Sequence, residues 1–168
     1  MKLSMYQASA PRFCNSLRNL SAMLDKAKAH VEAKKIEPSA VVTARLYPDM
    51  FPFARQVQIA CDNAKGAVAR LAGIEAPKHE DTEQTFEELK ARIAKTITFI
   101  ETVSASQIDG TEDKDISLKL GQREVQWKGM QYLLGFVVPN FYFHVTTAYD
   151  ILRHNGVELG KRDYIANP

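Results

Sequence analysis

Cysteine is scarce in this chain. Cys14 and Cys61 are the only two in 168 residues, and they stand far apart. That excludes a disulfide scaffold, a paired Cys-x-x-Cys metal knuckle and a redox motif; both read as small buried apolar groups in a reducing compartment. Also missing are His-Glu-x-x-His, Gly-x-Ser-x-Gly and a glycine-rich phosphate loop ahead of a helix, which removes most of the common enzyme signatures. No charge of one sign dominates. Twenty-two Lys and Arg face twenty Asp and Glu, a formal net charge of +2, and the basic residues are dispersed, so nucleic acid is not an expected partner. No continuous apolar run precedes Arg12, so no secretory leader is expected and the cytoplasm is the expected location.

One long stretch lacks charge entirely. Residues 129–149 contain no Asp, Glu, Lys or Arg, and their length approaches a membrane span. Gln131, Pro139, Asn140, His144, Thr146 and Thr147 interrupt the stretch, and no second span could satisfy them, so no membrane association is expected. A central helix of a bundle, apolar nearly all round, is the better reading. The overall composition, 45% hydrophobic and 25% charged, is that of an ordinary globular protein.

The periodicity predicts four helices. Tyr6, Ala10, Phe13, Leu17, Leu20, Leu24, Ala27 and Val31 alternate steps of four and three along one seam. A second helix is expected to begin near 49–52, with Asp49 as a cap, and to carry the alanine-rich seam Phe53, Val57, Ala60, Ala64, Ala67 and Leu71 up to Gly73. A third, capped by Asp81 or Thr82, buries Phe86, Leu89, Ile93, Ile97, Ile100 and Val103; Glu83, Glu87, Glu88, Lys90, Arg92 and Lys95 read as its solvated face. Between 115 and 128 the period changes to two, predicting a small hairpin that turns at Gly121-Gln122-Arg123 and leans on the helices through Trp127. A fourth helix spans about 130–155, with Pro139 as a kink or restart, and a short tail with a basic turn follows. There is no internal repeat, so 1–168 is expected to be one all-α domain, a four-helix bundle with long connections and a hairpin between helices three and four.

Chemistry concentrates in one place. Asn140, His144 and Thr147 fall at i, i+4 and i+7, on one face of the apolar fourth helix, and Gln56 lies near the facing seam of the second. Buried polar groups need partners, so these residues either fix the register of the bundle or line a pocket, to which Tyr132, Tyr142 and Tyr149 could contribute. His144 alone is a strong metal donor; the carbonyl oxygens of Asn140 and Gln56 are weak ones for zinc or nickel. His79, in a charged link, and His30 read as solvated.

Several segments carry a resemblance. Tyr47-Pro48-Asp49-Met50, Arg55-Gln56-Val57-Gln58, Cys61-Asp62-Asn63-Ala64-Lys65-Gly66 and Pro139-Asn140-Phe141-Tyr142-Phe143-His144, with Ala148-Tyr149-Asp150-Ile151-Leu152-Arg153 and Gly160-Lys161-Arg162-Asp163-Tyr164, resemble a bacterial and fungal domain-of-unknown-function family. That family is grouped with the DinB/YfiT-like four-helix bundles. The resemblance implies a DinB-like bundle, a homodimer, and a superfamily that includes metalloenzymes and thiol-dependent transferases. In its metal-binding members one ligand, typically histidine, comes from helix two and an i, i+4 pair from the last helix. Carried over, these positions fall on Gln56 or Gln58, and on Asn140 and His144, of which only His144 is histidine. The expected function is therefore a small-molecule pocket at Gln56, Asn140, His144, Thr147 and Tyr149, with His144 the candidate proton carrier, no metal cofactor, and a degenerate metal site at His144, Asn140 and Gln56. The alternatives are a zinc- or nickel-dependent hydrolase or thiol-dependent transferase that recruits Asp49 or Asp62, and a non-catalytic dimerisation module.

Overall fold

The computed structural model describes residues 4–165; the first three residues of the expected domain and the last three of its tail lie outside them. Four long helices carry the fold: α1 (Ala10–Lys34), α3 (Phe53–Ala72), α4 (Phe86–Glu101) and α7 (Val138–His154). Helix α3 packs against α7 on one side and α4 on the other, and α1 closes the ring against α4 and α7. The expected seams are the core: Phe13, Leu17, Leu20, Leu24, Ala27 and Val31 of α1 meet Val57, Ala60, Ala64, Ala67 and Leu71 of α3, all fully buried. The alanines let the neighbours of α3 approach closely.

Local chemistry sets the helix ends. Helix α3 starts at Phe53 because Pro52, extended at φ −68°, ψ 164°, occupies the position before it. Asp49 is exposed and caps nothing. The helix stops at Gly73, whose φ of +73° suits glycine. The ammonium of Lys114 then donates to the terminal carbonyls of Arg70 and Leu71, both at 2.9 Å, placing a cation at the negative end of the helix. Helix α4 is capped by Thr85, not by Asp81 or Thr82: the Thr85 hydroxyl accepts from the Glu88 amide and the Glu88 carboxylate accepts from the Thr85 amide. This capping box outcompetes the earlier candidates because it satisfies two orphan donors at once.

Three short helices fall where the sequence suggested links or tail: α2 (Pro38–Val42), α5 (Ala105–Ile108) and α8 (Lys161–Tyr164). The last is docked, not free. Asn19 donates to the Tyr164 carbonyl at 3.0 Å, the Tyr164 hydroxyl pairs with Thr146 at 2.9 Å, and Lys26 bridges Asp163 at 2.7 Å.

The hairpin is β1 (Asp115–Leu120) paired antiparallel with β2 (Arg123–Lys128), and Gly121 takes φ +60° in the turn. Ile116 is buried, and Trp127 stacks on Phe136 at 5.1 Å and tilts against Tyr132 at 5.9 Å. A short α6 (Gly129–Gln131) leads into a π-helical segment, Tyr132–Val137, and Pro139 sits in the first turn of α7 beyond it. The expected single helix is thus α6, a π turn and α7 in sequence, with Pro139 directly after the π turn.

Candidate functional site

Gln56 on α3 and His144 on α7 face each other in the bundle, with the imidazole Nδ1 2.7 Å from the Gln56 carbonyl oxygen Oε1. The orientation of the amide is dictated from behind. Gln56 Nε2 donates to the Phe51 carbonyl at 3.0 Å, and because a backbone carbonyl only accepts, Oε1 must be the end that faces His144. Nδ1 therefore carries the proton, and Nε2 presents a lone pair. His144 is 8% exposed, and burial, with a smaller contribution from the Arg55 guanidinium, pulls its pKa down to about 4. The imidazole is neutral at pH 7.

The rings beside it are not buried. Phe143 stands edge-on to the imidazole at 5.2 Å and is 55% exposed; Phe51, under the Arg55 guanidinium at 6.0 Å, is 54% exposed. Phe143 is thus an exposed ring against a buried neutral histidine, whereas Phe51 reaches the site through its backbone carbonyl.

Asn140 takes a different partner. Its amide donates to Asn63 Oδ1 at 2.9 Å, one helical turn from His144, so it does not complete a triad with Gln56. The Asn63–Asn140 pair lines a cavity of about 500 Å³ between α3, the π segment and the hairpin, together with Arg55, Arg70, Tyr132 and Phe136. Thr147 turns back on its own helix, its hydroxyl donating to the Phe143 carbonyl at 2.8 Å. Tyr149 lies edge-on to Tyr164 at 5.9 Å, against the docked C-terminal segment.

The residues present do not suit a metal. Gln56 is committed at both ends of its amide, Asn140 is bonded to Asn63, and among the described residues no group of three His, Cys, Asp or Glu is placed to hold an ion. Of the two carboxylates considered as recruits, Asp49 is exposed and Asp62 is engaged by Lys65 at 2.7 Å and Arg92 at 2.9 Å. Burial pushes the Cys14 thiol up to about 11 and the Cys61 thiol up to about 12, so neither is a thiolate nucleophile at neutral pH.

The feature that sequence reasoning missed is Arg92. Expected on the solvated face of its helix, it is instead 2% exposed, its guanidinium meeting Glu83 at 3.0 Å and Asp62 and Asp81 at 2.9 Å. The 73–85 link folds over α4 and buries Arg92, while Glu87, Glu88 and Lys95 stay exposed. A pairing signal was present in Asp81-Thr82-Glu83, but no helical period could reveal which cation it would meet. His79 in the same link is half-buried, with Nδ1 unpartnered and its pKa lowered chiefly by burial.

Comparison with known proteins fits this architecture. Residues 5–165 match the model of a family described as Domain of unknown function (DUF1993). The chain belongs to that family. A crystal structure described as a DinB family member protein from Shewanella denitrificans is 42% identical and superposes with a TM-score of 0.88, covering 97% of this chain and 92% of that one. Comparison with curated proteins returned no match. The fold is the DinB-like helical bundle with its added hairpin.

Proposed function

We propose that this DinB-like bundle binds a small organic molecule in the groove between α3, α7, the π segment and the hairpin, with no metal ion and with the neutral His144 imidazole one helical turn beyond the Asn63–Asn140 pair that lines it. The Gln56–His144 bond carries this reading. It fixes the tautomer and leaves Nε2 as a hydrogen-bond acceptor beside the exposed ring of Phe143. With a pKa of about 4, only about one imidazole in a thousand is protonated at pH 7, which favours accepting a hydrogen bond over acting as a general acid.

Nitrogen-15 NMR of imidazole-labelled protein tests the proposal. The expected spectrum shows the Nδ1–H tautomer of His144 at pH 7, and titration with a set of small aromatic and aliphatic compounds moves Nε2 together with the amides of Asn63 and Asn140. A mixture of tautomers, or a set of compounds that moves none of these signals, would sink the reading. Sedimentation velocity over a range of concentrations separates it from the dimerisation alternative: burial of Phe51 and Phe143 between two copies would make the same signals depend on protein concentration.

A further inference from the structure

Arg70 is set into the groove in an unusual way. Its guanidinium folds back along α3 over Gly66, where a Cβ would lie 2.6 Å from Nη1 and 3.5 Å from Cζ. Glycine inside a helix costs about 1 kcal/mol relative to alanine, and here it opens the notch that the guanidinium occupies. Nη1 donates to the Tyr132 hydroxyl at 3.0 Å. That hydroxyl, on a side chain 1% exposed, thereby accepts, and its own proton has no acceptor among the described residues. Burial, the largest influence, raises the Tyr132 pKa, so the proton stays in place.

The cation is also unmatched. Arg18, Arg55 and Arg92 each meet a carboxylate, whereas no carboxylate lies within 4.0 Å of Arg70 among the described residues. Asp62, the acidic residue lining the same cavity, is taken by Lys65 and Arg92. A half-buried guanidinium and a buried phenol thus offer two donors to one cavity, whose other walls include Leu118, Phe136 and Ile59.

We propose that Arg70 and Tyr132 form a carboxylate-recognition pair, and that the groove takes a small monocarboxylic acid with an apolar body. This rests on the groove reading above and narrows it to a ligand class. The planar guanidinium matches a carboxylate, the hydrocarbon lies against Leu118 and Phe136, and of the other charged groups on the cavity wall Arg55 and Asp62 are already ion-paired while Lys119 adds an exposed cation. Gly66 is a positioning residue for Arg70.

The test uses phenylacetate and hexanoate as probes, with phenylacetamide and hexanamide as neutral counterparts, titrated into the full chain by NMR. The acids are expected to bind at least about tenfold more tightly than the amides, with Arg70→Gln cutting acid affinity by much more than amide affinity and so closing the gap between them. Gly66→Ala, which displaces the guanidinium without removing its charge, is expected to weaken acid binding about fivefold and amide binding by less. Thermal melts verify that both variants fold, and Arg70→Lys serves if Arg70→Gln does not. Equal binding of acid and amide in the groove would overturn the carboxylate assignment and leave the groove standing. Groove signals unmoved by all four compounds at tens of millimolar would overturn both.

Discussion

The guanidinium of Arg92 meets the Glu83 carboxylate at 3.0 Å with the arginine side chain only 1% exposed and that of Glu83 12% exposed. Asp62 and Asp81 complete the surround, each at 2.9 Å. This cluster clamps the link between α3 and α4 onto both helices. Removing its cation leaves Glu83 buried without its ion partner, so Arg92→Met is expected to lose about 3 to 5 kcal/mol of stability in urea unfolding. Replacing Arg92 and Glu83 together, by Met and Gln, should recover part of that loss; a single mutant as stable as the wild type would contradict the clamp.

His144→Ala removes the partner of Gln56 Oε1 and is expected to cost about 1 to 3 kcal/mol, read as a lowered Tm. Asn140 keeps its bond to Asn63, so the loss should not extend to it. Gln56→Leu strands the Nδ1 proton in the same way and should cost a similar amount. An unchanged Tm in both variants would mean that the pair is not formed in solution.

The pH dependence has a definite sign. The pKa of His144 falls from the usual 6.5 to about 4 on folding, so between these values the unfolded chain binds the proton and the folded one does not. Stability from this group is complete above about pH 6.5 and is lost as pH falls toward 4, at up to about 1.4 kcal/mol per unit. Denaturant melts at pH 7, 5.5 and 4.5, compared with His144→Gln, check this; the variant should show a flatter decline across the window.

Metal content offers an independent check. Mass spectrometry of tag-free protein, before and after incubation with zinc or nickel, is expected to find far less than one ion per chain, and the same amount in His144→Ala. Stoichiometric metal that disappears in the variant would show that Gln56 and Asn140 give up their present hydrogen bonds to bind it.

The helical seams were legible because each long helix buries one face and the four-three spacing records it, as Phe13 to Val31 and Val57 to Leu71 show. The hairpin was legible from its period of two, closing at Gly121 as the turn residues suggested. What the periods could not carry was long-range pairing. Arg92 occupies an outer position on its own helix and is buried only because residues 73–85 return across it. Asn140 and His144 share a face, yet α3 offers each a different partner, Asn63 and Gln56, seven residues apart. The inward fold of Arg70 left one faint trace, a glycine inside the helix four positions before an arginine of its last turn.

The π-helical turn at Tyr132–Val137 gives the last helix two registers. Its wider turn accommodates an additional residue, so the face carrying Tyr132 and Phe136 is set independently of the face carrying Asn140 and His144. Closing these six residues into a uniform α-helix with none removed would swing everything beyond them by about 100°. Such a tightening would turn either the imidazole away from Gln56 or the phenol away from Arg70, so the two contacts coexist on one helix only while this local dislocation persists.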